Sequence, residues 1–149
     1  MTEILFYHLT ESTLEAALPP LLEKSLERGW RVVVQAGSEE RRDALDTHLW
    51  VYREQSFVGH GTDKEKHAEH QPVLLTAGEG NPNNADIRFL VDNATPPALD
   101  SYRRAVFMFD GHDVEQVEAA RGHWKAAKGE GHEVTYWQQT PQGRWERKA

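Results

Sequence analysis

The sequence predicts an α/β fold, three α/β/α layers built on a mostly parallel, Rossmann-like sheet. Three observations lead there. From Ile4 to Trp50, strand-like apolar runs alternate with helix-like periodicity in the order β-α-β-α. Within that stretch, Val32-Val33-Val34 is a β-branched run of the kind found in a parallel strand covered on both faces. The length, 149 residues, suits one domain able to bury a proper core. A single domain over 1–149 is therefore expected.

Ile4 to Leu9 reads as a buried first strand. A helix follows, capped by Thr10 or by Ser12, which would form a capping box with Glu15. Leu14, Ala17, Leu18, Leu21, Leu22 and Leu26 recur at helical spacing. Pro19-Pro20 interrupts them, because proline inside a helix costs about 3 kcal/mol. The helix either starts near Pro19 or kinks there. Gly29 ends it. Trp30 to Ala36 is the second strand, Gly37 to Glu40 a turn and cap, and Arg41 to Leu49 a second helix with Leu45, Leu49 and Trp50 on its inner side.

Val51 to Gln71 is charged, carries His60, His67 and His70, and has only Phe57 and Val58 as apolar anchors. It reads as a long surface loop, mobile over about 59–70. Pro72 to Thr76 is a third buried strand, Gly78 to Asn84 a turn-rich loop, and Ile87 to Asp92 a fourth strand. Pro96-Pro97 breaks the chain, and Ala98 to Tyr102 is read as one helical turn. Arg104 to Asp110 is the fifth strand. His132 to Gln138 alternates as a sixth strand with one wet face, and Gly143 to Arg147 is a short tail strand or turn.

Between those last strands, Asp113 to Gly131 reads as one amphipathic helix. Asp113 is its N-cap, Glu115 lies in the first turn, Lys125 and Lys128 in the last turns, and Gly129 or Gly131 at its close. Val117, Ala120, Trp124 and Ala127 share one face, and Val114, Arg121, Lys125 and Lys128 the adjoining strip. A cationic row beside a large aromatic is an unusual edge for a chain of net charge −7. It suits capture of an acidic, carboxylate-ended peptide. On pattern alone the favoured reading is a core tryptophan beside lysines that serve the helix dipole.

Bulk properties exclude several classes. The acidic balance argues against non-specific DNA binding, which needs a basic footprint, and leaves room only for local basic sites. No cysteine is present, so disulfides and thiolate metal sites are out. No apolar run reaches membrane-span length and no signal peptide is evident, so a cytoplasmic location is expected.

A Rossmann-like opening invites a small nucleotide-dependent enzyme as an alternative reading. The decisive loop, after the first strand, reads Leu9-Thr10-Glu11-Ser12. It has no glycine-rich turn for a phosphate, and Glu11 would repel one. Asp110-Gly111-His112-Asp113, at a strand end, reads as a turn plus N-cap. The loop histidines read as solvated. No catalytic residue, metal or cofactor is expected.

Taken together, these features resemble the chi subunit of bacterial DNA polymerase III holoenzyme, a clamp-loader accessory subunit. The residues that carry the resemblance run from Phe6 to Lys125. They are Phe6-Tyr7; Gly29 with Arg31-Val32-Val33-Val34; Leu45-Asp46 with Leu49-Trp50; Ser56-Phe57 with His60; Pro72-Val73; and Ala119-Ala120-Arg121 with Trp124-Lys125. The resemblance implies a non-enzymatic adaptor. It would link the clamp loader to single-stranded-DNA-binding protein (SSB) by holding that protein's acidic C-terminal tail, without direct DNA or membrane contact. Tail binding is implied for Arg121, Trp124 and Lys125, with Lys128 added from the helical wheel. Val117 stands where the family often has a further basic residue. A psi-like clamp-loader subunit, or a helicase partner, is implied for Trp50 and Phe57.

Overall fold

The computed structural model describes the backbone of residues 2–51 and 60–149 and the side chains of residues 2–49 and 60–149. In chain order the elements are β1 (Glu3–Leu9), α1 (Leu14–Glu27), β2 (Val32–Gln35), α2 (Glu39–Val51), β3 (His60–Thr62), β4 (Val73–Thr76), β5 (Ile87–Leu90), β6 (Arg104–Asp110), α3 (Val114–Gly129), β7 (Glu133–Gln139) and β8 (Trp145–Arg147). The strands form one sheet in the order β3-β4-β2-β5-β6-β1-β7-β8. Every pairing is parallel except β7 with β8. This is the α/β architecture the sequence predicts.

Alternation along the strands builds two cores. Leu5, Val32, Val34, Val106 and Met108 point to one face and pack against Leu18 and Leu22 of α1 and Leu45 and Leu49 of α2. Ile4, Phe6, Val33, Leu74 and Phe107 point to the other and meet Ala120 and Ala127 of α3, with Ala94, Leu99 and Tyr102 from the β5–β6 connection. β2, β4 and β5 are buried along their whole length, as parallel strands covered on both faces are.

Several local expectations need correction. Helix α1 is capped neither by Thr10 nor by Ser12. Thr13 is the N-cap, and its hydroxyl accepts from the Ala16 amide at 3.2 Å. Nor does α1 start at Pro19; it runs through Pro19 and Pro20. A proline at position 19 leaves the Glu15 carbonyl without its intrahelical donor. His48 of α2 supplies one, with Nε2 at 2.8 Å from that oxygen. Pro20 is exposed, so the carbonyl it frees, on exposed Ala16, faces water.

The stretch expected to be surface loop contains β3, which pairs with β4. His60, Gly61 and Thr62 are all buried. None is apolar, so hydropathy carries no signal for this strand. A Cβ at Gly61 would collide with the Glu65 carboxylate, which accepts from the Thr62 amide at 3.1 Å. Ala98 to Tyr102 is a turn rather than a helical turn. The Thr2 hydroxyl lies 2.8 Å from the Leu99 carbonyl oxygen and 3.0 Å from that of Tyr102, which ties the turn to the N-terminus.

Arg88, on β5, is fully buried on the α3 side. Its Nε donates to Gln35 Oε1 at 3.1 Å, and Nη2 to the same oxygen at 2.7 Å and to the Gly78 carbonyl at 2.8 Å. Nη1 donates to the Gly80 carbonyl and to the Tyr102 hydroxyl, both at 2.9 Å. Five donors therefore meet neutral acceptors, and one side chain fastens two connections to the sheet.

Candidate functional site

Helix α3 ends where the sequence places its caps. Asp113 Oδ1 accepts from the amides of Glu115 and Gln116 at 3.0 and 3.3 Å, and Gly131 follows with φ +83°. Ala120 and Ala127 are its buried residues. Their small side chains let the helix lie close to the sheet, which leaves larger neighbours on the same face to wall a groove.

That groove has a volume of about 370 Å³. Val117, Arg121, Trp124 and Lys125 line its helix side, while His8, Phe109 and Tyr136 form its sheet side and Ala149 its rim. Trp124 is half-buried. Its indole meets Phe6 edge-on at 5.5 Å and Tyr136 at 5.7 Å between ring centroids. Lys128 does not line the groove, but its Nζ sits 4.9 Å from the centre of the Trp124 ring, in cation–π range. Arg121, Lys125 and Lys128 are exposed, and among the described residues no carboxylate pairs with any of them. The fold thus brings together an apolar shelf and three unneutralised cations.

The expected second surface is not open to the same description. Phe57 lies outside the described residues, and Trp50 is described only as a backbone position in α2.

His8, Phe109 and Tyr136 carry a signal that helix periodicity does not show. Strand parity places His8 on the face of Ile4 and Phe6, and Tyr136 on the face of Val134. His8 Nδ1 lies 2.7 Å from the Tyr136 hydroxyl, and the two rings meet edge-on. Burial raises the Tyr136 phenol above its ordinary pKa, opposed by the Arg121 charge. Burial, and then the nearby His112, hold His8 below its ordinary 6.5, opposed by Asp110. Burial also lowers His123, which stacks on Phe107 at 5.0 Å.

These two imidazoles set an expected pH dependence. Their folded pKa values lie below the unfolded one, so they favour the fold above about pH 6.5 and cease to as pH falls through the folded values. The urea midpoint should therefore decline from pH 7 to pH 5. A His8→Gln/His123→Gln double variant should show a flatter decline, and an unchanged slope would show that other groups govern it.

The loop after β1, where a nucleotide enzyme would hold phosphate, is occupied from within. The amides of Thr10, Glu11 and Ser12 converge on one atom, Oε1 of Gln139, at 3.1, 2.9 and 3.0 Å. Three convergent amides make an anion-binding nest, and here a neutral amide oxygen fills it. Gln139 Nε2 donates in turn to Ser12 Oγ at 2.9 Å. A cavity of about 380 Å³ lies beside this loop, but Glu11, Glu15, Asp92 and Asp110 line it, and Arg41 within it is bound by Glu15 and Asp92. The Asp110 turn is structural in every part. Asp110 accepts from the His112 amide at 2.8 Å, His112 Nε2 donates to the Thr10 carbonyl at 2.9 Å, and Asp113 caps α3.

Among the loop histidines, His67 and His70 are exposed, and with Glu69 they offer atoms within 4.8 Å of one another. His60 stands apart, buried, with Nε2 at 3.1 Å from an Asp46 carboxylate oxygen.

The loop after β1 is thus filled from within, while α3 carries an open cationic–aromatic groove on a Rossmann-like sheet. Comparison with known proteins gives the family. A family model described as "DNA polymerase III chi subunit, HolC" matches residues 1–135, and the chain belongs to that family. Its members are accessory subunits of the polymerase holoenzyme, not enzymes. Among curated relatives, the "Probable DNA polymerase III subunit chi" of Rickettsia prowazekii is 25% identical over 91 residues, 61% of this chain and 55% of that protein. The "DNA polymerase III subunit chi" of Pseudomonas aeruginosa is 28% identical over 107 residues, 70% of this chain and 74% of that protein. The match thus spans little more than half of the Rickettsia protein's length. Among the described residues, no helix is long and apolar enough to cross a membrane.

Proposed function

We propose that this protein is a cytoplasmic replication adaptor that joins the clamp loader to SSB by holding the acidic C-terminal tail of SSB along α3. The observation that carries the reading is the groove itself. Val117, Arg121, Trp124 and Lys125 line one concavity, with the Lys128 ammonium over the indole. An acidic chain end needs a guanidinium fork for its carboxylate, an apolar recess for its last side chain, and cations for the acids before it. Arg121 supplies the fork. Val117, Phe109, Trp124 and Tyr136 supply the recess, and Lys125 and Lys128 the field.

With Val117 on the groove wall, that position contributes apolar contact and no charge. Exposed cations steer more than they bind, so affinity should fall as salt rises. Titration of a labelled acidic tail peptide onto wild type and Arg121→Ala tests the reading. The variant should bind about 10- to 100-fold more weakly, the usual cost of losing a charge-assisted bidentate contact. Equal affinity for both proteins, or none for either, removes the groove from this role. The same reading assigns a psi-like subunit or helicase partner to Trp50 and Phe57. Undiminished capture of such a partner by Trp50→Ala would count against that contact.

A further inference from the structure

A second large concavity opens on the other face of the sheet, between α1 and the β7–β8 hairpin. Its volume is about 570 Å³, and its lining includes Tyr7, Lys24, Arg28, Arg104, Trp137 and Trp145. The aromatic part is continuous. Tyr7 lies 4.6 Å from Trp145 and 6.5 Å from Trp137 between ring centroids. Beside it, Trp30 carries two guanidiniums, those of Arg28 and Arg104, at 5.1 and 5.2 Å from its ring centre.

The cations are only partly neutralised. Arg104 bonds Glu3 at 2.6 Å, and Glu27 also lines the groove. Lys24 and Arg28 have no carboxylate partner among the described residues. Arg147 is paired directly across from Trp137, which puts it on the same face of the hairpin. The groove is thus locally cationic in a chain of net charge −7.

We propose that this groove binds a short segment of single-stranded nucleic acid. Planar aromatic side chains beside cations match bases joined by phosphates, since every base offers a face to stack and every link a negative charge. An acidic peptide would engage the cations, but its single apolar end would cover only part of a floor made of Tyr7, Trp137 and Trp145. An apolar helix would cover the floor and strand the cations. The overall acidity that opposes non-specific duplex binding does not extend into this groove. The resemblance implies no direct DNA contact, but the family match ends at residue 135, and Trp137 and Trp145 lie beyond it. The surface is separate from the α3 groove and does not depend on the role proposed for it.

The test is fluorescence anisotropy of a labelled oligothymidylate of about ten nucleotides, within the usual footprint of such sites, at low salt. Wild type should bind weakly, with affinity declining as salt rises. Trp145→Ala should bind about 10-fold more weakly, the typical loss of one stacked base. Lys24→Glu/Arg28→Glu, at two exposed positions in the last turn and C-cap of α1, should lower the affinity further, with the urea midpoint read alongside to confirm folding. It should also flatten the salt dependence, by about 0.7 in log–log slope for each phosphate it no longer neutralises. Arg121→Ala should bind the oligonucleotide like wild type. No binding by wild type overturns the proposal, as does undiminished binding by both groove variants. So does competition at this groove by an acidic peptide in place of the oligonucleotide.

Discussion

Replacing Arg88 by leucine is expected to lower folding stability by about 3–5 kcal/mol, although among the described residues its partners are all neutral. The guanidinium occupies the interior of β5 with all five of its N–H groups donating. A leucine of similar reach would leave the carbonyls of Gly78 and Gly80, the Gln35 amide oxygen and the Tyr102 hydroxyl facing an apolar side chain. Each orphaned buried acceptor costs about 1–3 kcal/mol, and relaxation of the two connections would recover part of the sum. Gln35 also donates to the Thr95 carbonyl at 2.8 Å, so loss of its partner would loosen the Pro96-Pro97 segment as well. Arg88→Lys should recover little, because three donors on a point charge do not reproduce a planar fork. Urea unfolding reads both variants, and a leucine variant within about 1 kcal/mol of wild type would show that the buried fork is dispensable.

Gln139→Leu should be the second most damaging change, at about 2–4 kcal/mol, because one oxygen terminates three amides. Water can reach part of this loop, which sets the loss below that of Arg88. The useful comparison is Gln139→Glu. A carboxylate offers the same oxygen in charge-assisted form, so it should keep most of the stability that leucine loses, with the Ser12 hydroxyl turning from acceptor to donor. If Glu and Leu variants were equally unstable, the three amides would not be the reason Gln139 is buried.

The fold was legible where one period dominated. Val32 to Val34, Val73 to Leu75 and Arg104 to Asp110 read as strands because their apolar residues run without a break. The last helix read correctly from its Asp113 cap to its closing glycines because every local cue agreed. β3 was illegible because a strand made of His, Gly and Thr is buried by its neighbours and not by its own hydropathy. The path of α1 through two prolines was illegible because the compensation, His48, comes from another helix. The helix side of the candidate groove could be named from spacing alone, since Arg121, Trp124 and Lys125 lie within little more than one helical turn. Its sheet side could not, because His8, Phe109 and Tyr136 come from three strands whose adjacency is a product of topology. The filled phosphate loop was half legible. Glu11 and the missing glycines argued against a nucleotide, but the occupant comes from the far end of the chain.

The place of β1 in the sheet has one more consequence, for the order of events on the ribosome. Its two neighbours, β6 and β7, follow it by more than a hundred residues. β1 therefore leaves the exit tunnel long before either of its partners. Until then Ile4 to Leu9 travels as an unpaired apolar segment, the kind of stretch that holding chaperones bind, and pairing over such a separation is intrinsically slow.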